Sequence, residues 1–342
     1  MRKLLSLLLT LILHQSVTFG QSSPISRQLF FLDDKLIEAT FTTDIKKLRS
    51  EKKVPTWQSA NITMHMPNSS VISEEIRLQP RGKYRKNNCD IASLMLNFKN
   101  PASPKLSPLK KLKLVGGCGS ASRDEELLLK EYLVYKMYNL LSIMSFQVRL
   151  LHINYKDSKQ KTKPYSQYAF LIEDMSDLTA RNNCREIKNK VFGTEATNRQ
   201  QMTLVYLFQY MIGNTDWSVP QYHNIKLMVP KNDTFARPYT VPYDFDYAGV
   251  VDAPYAVPNE ELGIKDVKER LYRGFERTMD ELQEAIDIFK EKKSRILFTI
   301  NNFSLLGERT KRDMIWYIDD FYKIIENKRT VRTSFILNAR RN

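Results

Sequence analysis

The sequence predicts a mixed α+β protein of two parts, a β-rich part at residues 21–175 and a helical part at residues 176–342. In the first part, short runs of apolar and β-branched residues are separated by Pro, Gly, Asn and Ser turns. The second part ends in two long amphipathic patterns, which are typical of helices. It also contains two apolar runs, 225–229 and 239–243, on either side of a polar turn, and these predict a β-hairpin.

The first 20 residues have the pattern of a secretory signal peptide. Arg2 and Lys3 precede an apolar run at 4–13, and residues 18–20 offer a cleavage site. The apolar run is too short to span a bilayer, and no later run reaches the necessary length. We therefore expect an exported protein, periplasmic or secreted, with no transmembrane segment in the mature chain.

The chain is strongly basic, with a formal net charge of +15. Such a charge favours an anionic partner, for example a nucleotide, a phosphate, an acidic protein or a membrane surface. Most of the Lys and Arg residues are scattered, however, and solvated surface charge is their ordinary explanation. Basic motifs with interleaved aromatic residues are absent from the sequence, so a nucleic-acid partner is not expected.

The predicted elements follow in order along the chain. Five strands are expected first, at 29–41, 61–66, 71–78, 94–98 and 111–115. One prominent helix at 124–141 and two strands at 146–155 and 165–173 complete the first part. In the second part, helices are expected at 200–212, 279–299 and 308–327.

The three cysteines lie in a chain whose export permits disulfides. Cys89 and Cys118 occupy turns that border two predicted strands of the same region, so they form the favoured pair and leave Cys184 unpaired. A cysteine–histidine metal cluster is disfavoured, because no Cys-x-x-Cys spacing exists and the four histidines are dispersed.

Four oxygen-bearing side chains flank the predicted hairpin. Asp216 and Asn224 precede its first strand, and Asp244 and Asp246 follow its second. Because a hairpin brings its outer ends together, we expect these side chains to converge. Asn224, Asp244 and Asp246 then become candidate ligands for Mg²⁺ or Mn²⁺, since hard cations prefer oxygen ligands. The alternative is that these residues only form turns, as Asp and Asn often do.

Phosphoryl-transfer enzymes use the same order of parts. In them a loop Asp accepts the proton of the substrate hydroxyl, a nearby Asn holds metal, and an Asp after the next strand holds metal on the phosphates. Two features depart from the protein-kinase form. Asp216 and Asn224 are eight residues apart where the usual gap is about five, and Asp-Phe-Asp at 244–246 replaces Asp-Phe-Gly.

Several charged residues of the first part are candidates for nucleotide binding. Lys111 and Lys113 share one face of a predicted strand, and Glu131 falls on the apolar stripe of the helix, where a carboxylate needs a partner. Kinases pair a strand Lys with a helix Glu to hold the nucleotide phosphates. Arg81 and Arg85 belong to a basic segment that could also contact phosphates. The alternatives are a partly exposed glutamate and a basic hairpin turn.

Taken together, the segments 111–115, 131–136 and 212–249 resemble the CotH-type spore-coat protein kinases, an atypical branch of the kinase-like fold. The likeness rests on the strand Lys, the helix Glu, Gly-Asn-x-Asp-Trp with a following Asn, and Asp-Phe-Asp, and it covers roughly residues 75–250. The chain is also similar to exported proteins of unknown function from Bacteroidetes-type bacteria. The resemblance implies a two-lobed protein-kinase-like fold with a β-rich N-lobe and a helical C-lobe.

The resemblance also implies roles for individual residues. Asp216 would be the base, Asn224 and Asp244 the metal ligands, and Lys113, partnered by Glu131, would contact the phosphates of ATP or another nucleotide. No ordinary Gly-rich loop is present, so the basic segment 81–85 would cover the phosphates instead. The phosphate acceptor would be a protein or a small hydroxyl compound.

Three functions remain open on the sequence alone. They are an exported phosphotransferase, a non-catalytic kinase-like module for binding or assembly, and a metal-dependent hydrolase. The scarcity of ATP outside the cytoplasm counts against the first. A Lys113–Glu131 ion pair would favour the first over the third, because a hydrolase has no use for that pair.

Overall fold

The computed structural model describes residues 25–51, 56–82, 87, 89, 91–100, 102, 104–118, 122–188, 190–233 and 235–341. Within these residues the protein has a mixed α+β fold, as predicted. None of the helices described there is long and apolar enough to cross a membrane. The predicted signal peptide at 1–20 and the candidate residue Arg85 lie outside the described residues.

The first part of the chain forms a seven-stranded barrel. Its strands are β1 (Ile37–Thr43), β2 (Gln58–His65), β3 (Val71–Arg81), β4 (Ser93–Asn97), β5 (Lys111–Gly116), β6 (Val148–Asp157) and β7 (Tyr165–Ile172). The strand order β1-β2-β3-β4-β5-β7-β6 closes because β1 pairs in parallel with β6, whereas the other neighbours pair antiparallel. This closure was not predicted from the sequence.

The barrel interior is filled by one face of each strand. Ile62, Leu78, Leu112 and Leu151 belong to one buried cluster there. Their neighbours along each strand point outward, as strand geometry requires. A closed barrel leaves no unpaired strand edge. The outward face of β5 carries Lys111 and Lys113, which line a cleft outside the barrel.

The first predicted strand is only partly correct. Residues Arg27–Leu32 form a helix, α1, and the strand begins at Ile37. The hydroxyl of Ser26 caps the helix by accepting the N–H of Leu29, and the adjacent residues Phe30 and Phe31 are both buried. Successive side chains of a strand point to opposite faces, so burying two adjacent aromatic rings against one surface favours the helix. A second short helix, α2 (Ile45–Ser50), follows β1.

The prominent predicted helix is α3 (Ser122–Leu141), which packs on β6, on β7 and on a helix of the second part. The segment before it contains the predicted disulfide between Cys89 and Cys118, whose Cα atoms are 4.6 Å apart. This pairing is confirmed, and Cys184 is a buried free thiol.

The second part is mainly helical. Its elements are α4 (Met175–Arg181), β8 (Cys184–Ile187), α5 (Arg199–Ile212), β9 (Ile225–Pro230), β10 (Tyr239–Pro242), α6 (Met279–Asn301), α7 (Glu308–Glu326) and α8 (Lys328–Val331), followed by a short π-helix at Arg332–Leu337. The strands form a small sheet of order β10-β9-β8. The three predicted helices correspond to α5, α6 and α7, and the predicted hairpin is β9–β10. The domain division at residue 175 stays a prediction.

Helix α5 ends at Gly213, which adopts a left-handed conformation with φ of +67°. A side chain at this position would also clash with the hydroxyl of Tyr317 on α7. Glycine is therefore required here by both conformation and space. The turn sends the chain from α5 directly into the loop that contains Asp216.

Candidate functional site

The hairpin brings the predicted site residues together at one end. Pro242 pairs with Ile225, and one step further the N–H of Tyr243 donates to the carbonyl of Asn224 at 3.0 Å. Asn224 and Asp244 both have positive φ, +51° and +63°, a conformation that Asn and Asp tolerate better than most residues. The expected convergence of Asn224 and Asp244 at the hairpin end is therefore found.

Asp216 joins them through side-chain contacts. The amide nitrogen of Asn224 donates to both the backbone carbonyl and Oδ2 of Asp216, each at 2.9 Å. The wide spacing is absorbed by a small turn in which Ser218 and His223 exchange two backbone hydrogen bonds of 2.9 Å. The extra residues thus loop out, and Asp216 still meets Asn224.

His223 is a member of this site that was not predicted from the sequence. Its Nε2 lies 2.7 Å from Oδ1 of Asp216, so both carboxylate oxygens of Asp216 have a hydrogen-bond partner. The N–H of Asp216 in turn donates to the side-chain oxygen of Asn214 at 2.9 Å. The position of His223 directly before Asn224 was the signal that could have identified it.

Asp244 presents an open carboxylate. Its N–H donates to the hydroxyl of Tyr135 on α3 at 2.8 Å, whereas its exposed carboxylate accepts no hydrogen bond from the described residues. Asn224 uses its amide nitrogen on Asp216, which leaves its amide oxygen available. An amide oxygen and a carboxylate suit Mg²⁺, which usually takes one or two carboxylates and completes its shell with water and phosphates. The residues present therefore fit a divalent cation.

Asp246, the third predicted ligand, is oriented differently. Its Oδ2 accepts a hydrogen bond of 3.1 Å from the hydroxyl of Tyr255. Among the described residues no group of three or more His, Cys, Asp or Glu side chains is arranged to hold a metal ion. Asn224 and Asp244 would thus offer two ligands, and the other ligands would have to be water or phosphate oxygens.

Lys113 lies at the same end of the hairpin. Its ammonium nitrogen is 5.6 Å from the ring centroid of Tyr243. Burial lowers the pKa of Lys113, and the positive charges of Arg81 and Lys226 lower it further, while the carboxylate of Asp244 opposes them. Arg81, predicted as a phosphate contact, is therefore close to Lys113. The strand β5 and the hairpin together gather positive charge beside Asp244.

The expected ion pair between Lys113 and Glu131 is not formed, although both side chains are described. Lys111, Lys113 and Val115 share the outward face of β5, but only Val115 reaches the apolar cluster beneath α3. Glu131 is buried beyond the end of the strand, in a small cavity beside Gly116 and Cys118. Helix α3 instead reaches the site through the hydroxyl of Tyr135, which was not predicted from the sequence either.

A cleft of about 600 Å³ lies beside these residues. Apolar side chains line part of it, namely Met95, Phe146, Ile172, Met175 and Cys184. Six cations also line it, namely Lys111, Lys113, Arg185, Lys188, Lys226 and Lys231. Lys111 is exposed, and its ammonium lies 5.4 Å from the ring centroid of Trp57.

Three acidic residues, Glu173, Asp174 and Glu186, also line the cleft, so they offset only part of the charge of the six cations. Glu173 is paired with Arg181 of α4 at 2.9 Å. Glu186 pairs with two of the six cations, Lys188 at 2.9 Å and Lys226 at 3.5 Å. The apolar lining and the excess of cations suit a ligand with a flat apolar group and an anionic group.

One further contact fixes the loop around Asp216. Nη1 of Arg273 donates to the carbonyls of Thr215 and Trp217, the latter at 2.8 Å. The guanidinium carbon is 5.1 Å from the ring centroid of Trp217. Arg273 comes from the irregular segment before α6, and a short-range sequence pattern does not reveal such a distant contact.

No protein-family model matches this chain, and no curated protein matches it. Among solved structures it is similar to the crystal structure of a Helicobacter pylori proinflammatory kinase, CtkA, with a TM-score of 0.42 and 11% sequence identity. The match covers 71% of this chain and 95% of that one. A likeness at this level assigns no residue and no chemistry to this protein.

Proposed function

We propose that the protein is an exported phosphotransferase that uses a Mg²⁺- or Mn²⁺-bound nucleotide, ATP or another, to modify a hydroxyl group. One observation carries the proposal. The Asp216 carboxylate is hydrogen-bonded to Asn224, and Asp244 adjoins Asn224 at the open end of the same hairpin, beside Lys113 and the basic cleft. This is the set of groups that phosphoryl transfer needs for positioning and for stabilising charge.

In this proposal the cleft holds the nucleotide and the hairpin end holds its phosphates. Lys113 and Arg81 would neutralise phosphate charge from the barrel side. Asn224 and Asp244, with Asp246 nearby, would hold the divalent cation, which supplies further positive charge to the phosphates. Asp216 would orient the acceptor hydroxyl and accept its proton.

The finer classification belongs to the same proposal. The barrel would act as the N-lobe and the helical part as the C-lobe of a two-lobed kinase-like fold of the CotH type. The missing Lys113–Glu131 pair removes the feature that would have separated a kinase from a hydrolase. The case for a kinase therefore rests on Lys113, Arg81 and the cleft.

A second candidate is a kinase-like module that binds a nucleotide without transferring phosphate. The observation in its favour is that both oxygens of Asp216 already accept hydrogen bonds, from His223 and Asn224. An acceptor hydroxyl would have to compete with His223 for Oδ1. A binding measurement alone would not separate this module from an enzyme.

Two measurements on the purified mature chain test the proposal. Thermal shift with ATP, GTP, Mg²⁺ and Mn²⁺, alone and combined, should show stabilisation that needs nucleotide and metal together. Transfer of labelled γ-phosphate to a mixture of proteins and small hydroxyl compounds should then separate the enzyme from the non-catalytic module. Absence of any nucleotide-dependent shift would refute both.

A further inference from the structure

The guanidinium of Arg273 is fixed next to the candidate base. Its Nη1 donates to the carbonyls of Thr215 and Trp217, the residues on either side of Asp216. One face of the guanidinium lies near the ring of Trp217, at 5.1 Å from the centroid. These contacts hold the group within one residue of Asp216 and use only one of its three nitrogens.

The other donor edge of Arg273 is open. Nε and Nη2 make no hydrogen bond to any residue that the structure describes. This edge has two parallel N–H donors, the geometry that binds a carboxylate or phosphate in a bidentate manner. Partial burial makes such an interaction stronger than it would be in bulk water.

Two more arginines extend the positive charge away from Asp216. The N–H of Arg340 donates to the carbonyl of Gly274 at 2.8 Å, which places the C-terminal segment alongside the residues that follow Arg273. The Arg340 side chain lies against the ring of Phe275, with 5.1 Å between the guanidinium carbon and the centroid. Arg340 and Arg341 are both exposed. Arg273, Arg340 and Arg341 are called the basic surface below.

The acidic residues near the basic surface offset only part of its charge, and Asp216 beside Arg273 is one of them. Arg340 and Arg341 line a cavity of about 560 Å³ that also contains Glu195 and Glu276. Glu195 is held by Arg277, through hydrogen bonds of 2.8 and 2.9 Å. Exposed Glu276 is then the one carboxylate lining that cavity without such a partner among the described residues. Burial lowers the pKa of Arg273 and the positive charge of Arg340 lowers it further, so the two guanidinium groups interact, and an anion bound between them would relieve this repulsion.

We propose that the basic surface recognises the phosphate acceptor, and that the acceptor is a peptide whose hydroxyl residue is flanked by Asp or Glu. This inference rests on the proposed function, since it takes Asp216 as the group that meets the hydroxyl. Arg273 binds the acidic residue nearest the hydroxyl, and Arg340 and Arg341 bind the next. A peptide fits better than a small hydroxy acid, because the three cations are spread over two chain segments that meet in a parallel bridge between Phe275 and Arg340.

The test uses three fluorescent peptides of equal length. One has a central Ser flanked by Glu, the second has Lys in place of Glu, and the third repeats the first with Ala in place of Ser. Binding is measured by anisotropy with Mg²⁺ and a non-hydrolysable nucleotide, and transfer is measured with labelled ATP. The variants are Arg273→Gln and the double variant Arg340→Gln/Arg341→Gln. The control is Arg312→Gln, which removes the same charge from an exposed position on α7.

The wild type should bind both Glu peptides at least about ten-fold more tightly than the Lys peptide, since each charged hydrogen bond contributes about that factor or more. Arg273→Gln and the double variant should lose most of this preference, and Arg312→Gln should keep it. Arg273→Gln could disturb the Asp216 loop itself. The double variant avoids this problem, because the structure records no contact between the described side chains of Arg340 or Arg341 and that loop. Calorimetric nucleotide affinity should be the same in the wild type, the double variant and Arg312→Gln.

Equal binding of the Glu and Lys peptides by the wild type would overturn the inference. A preference that survives in both the Arg273 variant and the double variant would also overturn it. Binding of the Ala peptide is independent of turnover, so the two proposals can fail separately. Arginine-dependent binding without any transfer supports the inference and rejects the phosphotransferase, whereas transfer without acidic preference does the reverse.

Discussion

The packing of the turn that leads into the Asp216 loop can be tested by replacing Gly213 with alanine, which adds one methyl group. Gly213 has φ of +67°, and a Cβ there would clash with the hydroxyl of Tyr317, which donates to the carbonyl of Lys268 at 3.0 Å. The left-handed conformation costs a non-glycine residue about 1–2 kcal/mol. Displacing Tyr317 costs about 0.5–1.5 kcal/mol more for its hydrogen bond. Gly213→Ala should therefore lower the free energy of unfolding by roughly 1.5–3.5 kcal/mol.

Two other glycines separate these contributions. Gly263 has φ of +70°, and no atom lies within 4 Å of the position that a Cβ would take there, so Gly263→Ala should cost only the conformational part, about 1–2 kcal/mol. Gly193 has φ of −67° and is equally open. Gly193→Ala should be neutral or slightly stabilising, by up to about 1 kcal/mol, because alanine restricts the unfolded chain.

The assay is urea denaturation of the wild type and the three variants. If the dependence of the unfolding free energy on urea concentration is the same in all of them, the shift in the midpoint concentration gives the change in stability. Adding Tyr317→Phe to Gly213→Ala should recover part of the loss, since it removes the clashing oxygen. Gly213→Ala should also weaken phosphate transfer, because Asp216 follows three residues later. If Gly213→Ala destabilises the protein no more than Gly263→Ala does, the close packing of Tyr317 on this turn is wrong.

The other predictions concern the metal ligand, the base, the disulfide and one ion pair. Asp244→Asn should weaken metal-dependent nucleotide binding in calorimetry, and equal binding by the wild type and this variant would reject the metal assignment. Asp216→Asn should bind the nucleotide normally, but its rate of phosphate transfer should fall by a factor of about 10²–10⁴. Cys89→Ser opens a disulfide with a sequence separation of 29, so the chain-entropy model predicts a loss of about 3–4 kcal/mol in denaturation under non-reducing conditions. A hydrogen bond from Arg199 holds the pKa of Glu281 at about 2, below its usual value of 4.5. This hydrogen bond stabilises the folded protein fully above about pH 4.5, and the stabilisation is lost as the pH falls towards 2 and Glu281 becomes protonated. Because the pair is partly exposed, wild type and Glu281→Gln should differ by at most about 1 kcal/mol at pH 7, and that difference should shrink by pH 3.

Local patterns were sufficient for most of the elements. Alternation predicted the strands from β2 to β7, and helical spacing predicted α3, α5, α6 and α7. The hairpin prediction also placed Asn224 and Asp244 together, because a β-hairpin brings the start of its first strand next to the end of its second. The Cys89–Cys118 disulfide followed in the same way from neighbouring turns.

The partners of individual side chains depended on contacts between distant parts of the chain. Lys113 and Glu131 were of the residue types and in the order of a kinase pair, yet Lys113 lies against Tyr243, and Glu131 is buried in a small cavity beside Gly116 and Cys118. Arg85 and the signal peptide lie outside the described residues and stay predictions. Arg273 reaches Asp216 from a segment with no periodicity, so no pattern indicated it.

The sequence by itself determined most of the elements, though not such elements as α1, α2, α4 and β8, and the oxygen and basic groups at the hairpin, since these depend on residues close together in the chain. Only the tertiary structure decided that the first sheet closes into a barrel, because closure depends on the parallel pairing of β1 with β6, which are far apart in sequence. It also decided that both oxygens of Asp216 are engaged and that Arg273 lies beside it with an open edge. Such contacts are fixed by packing across the whole chain, and packing has no local signature.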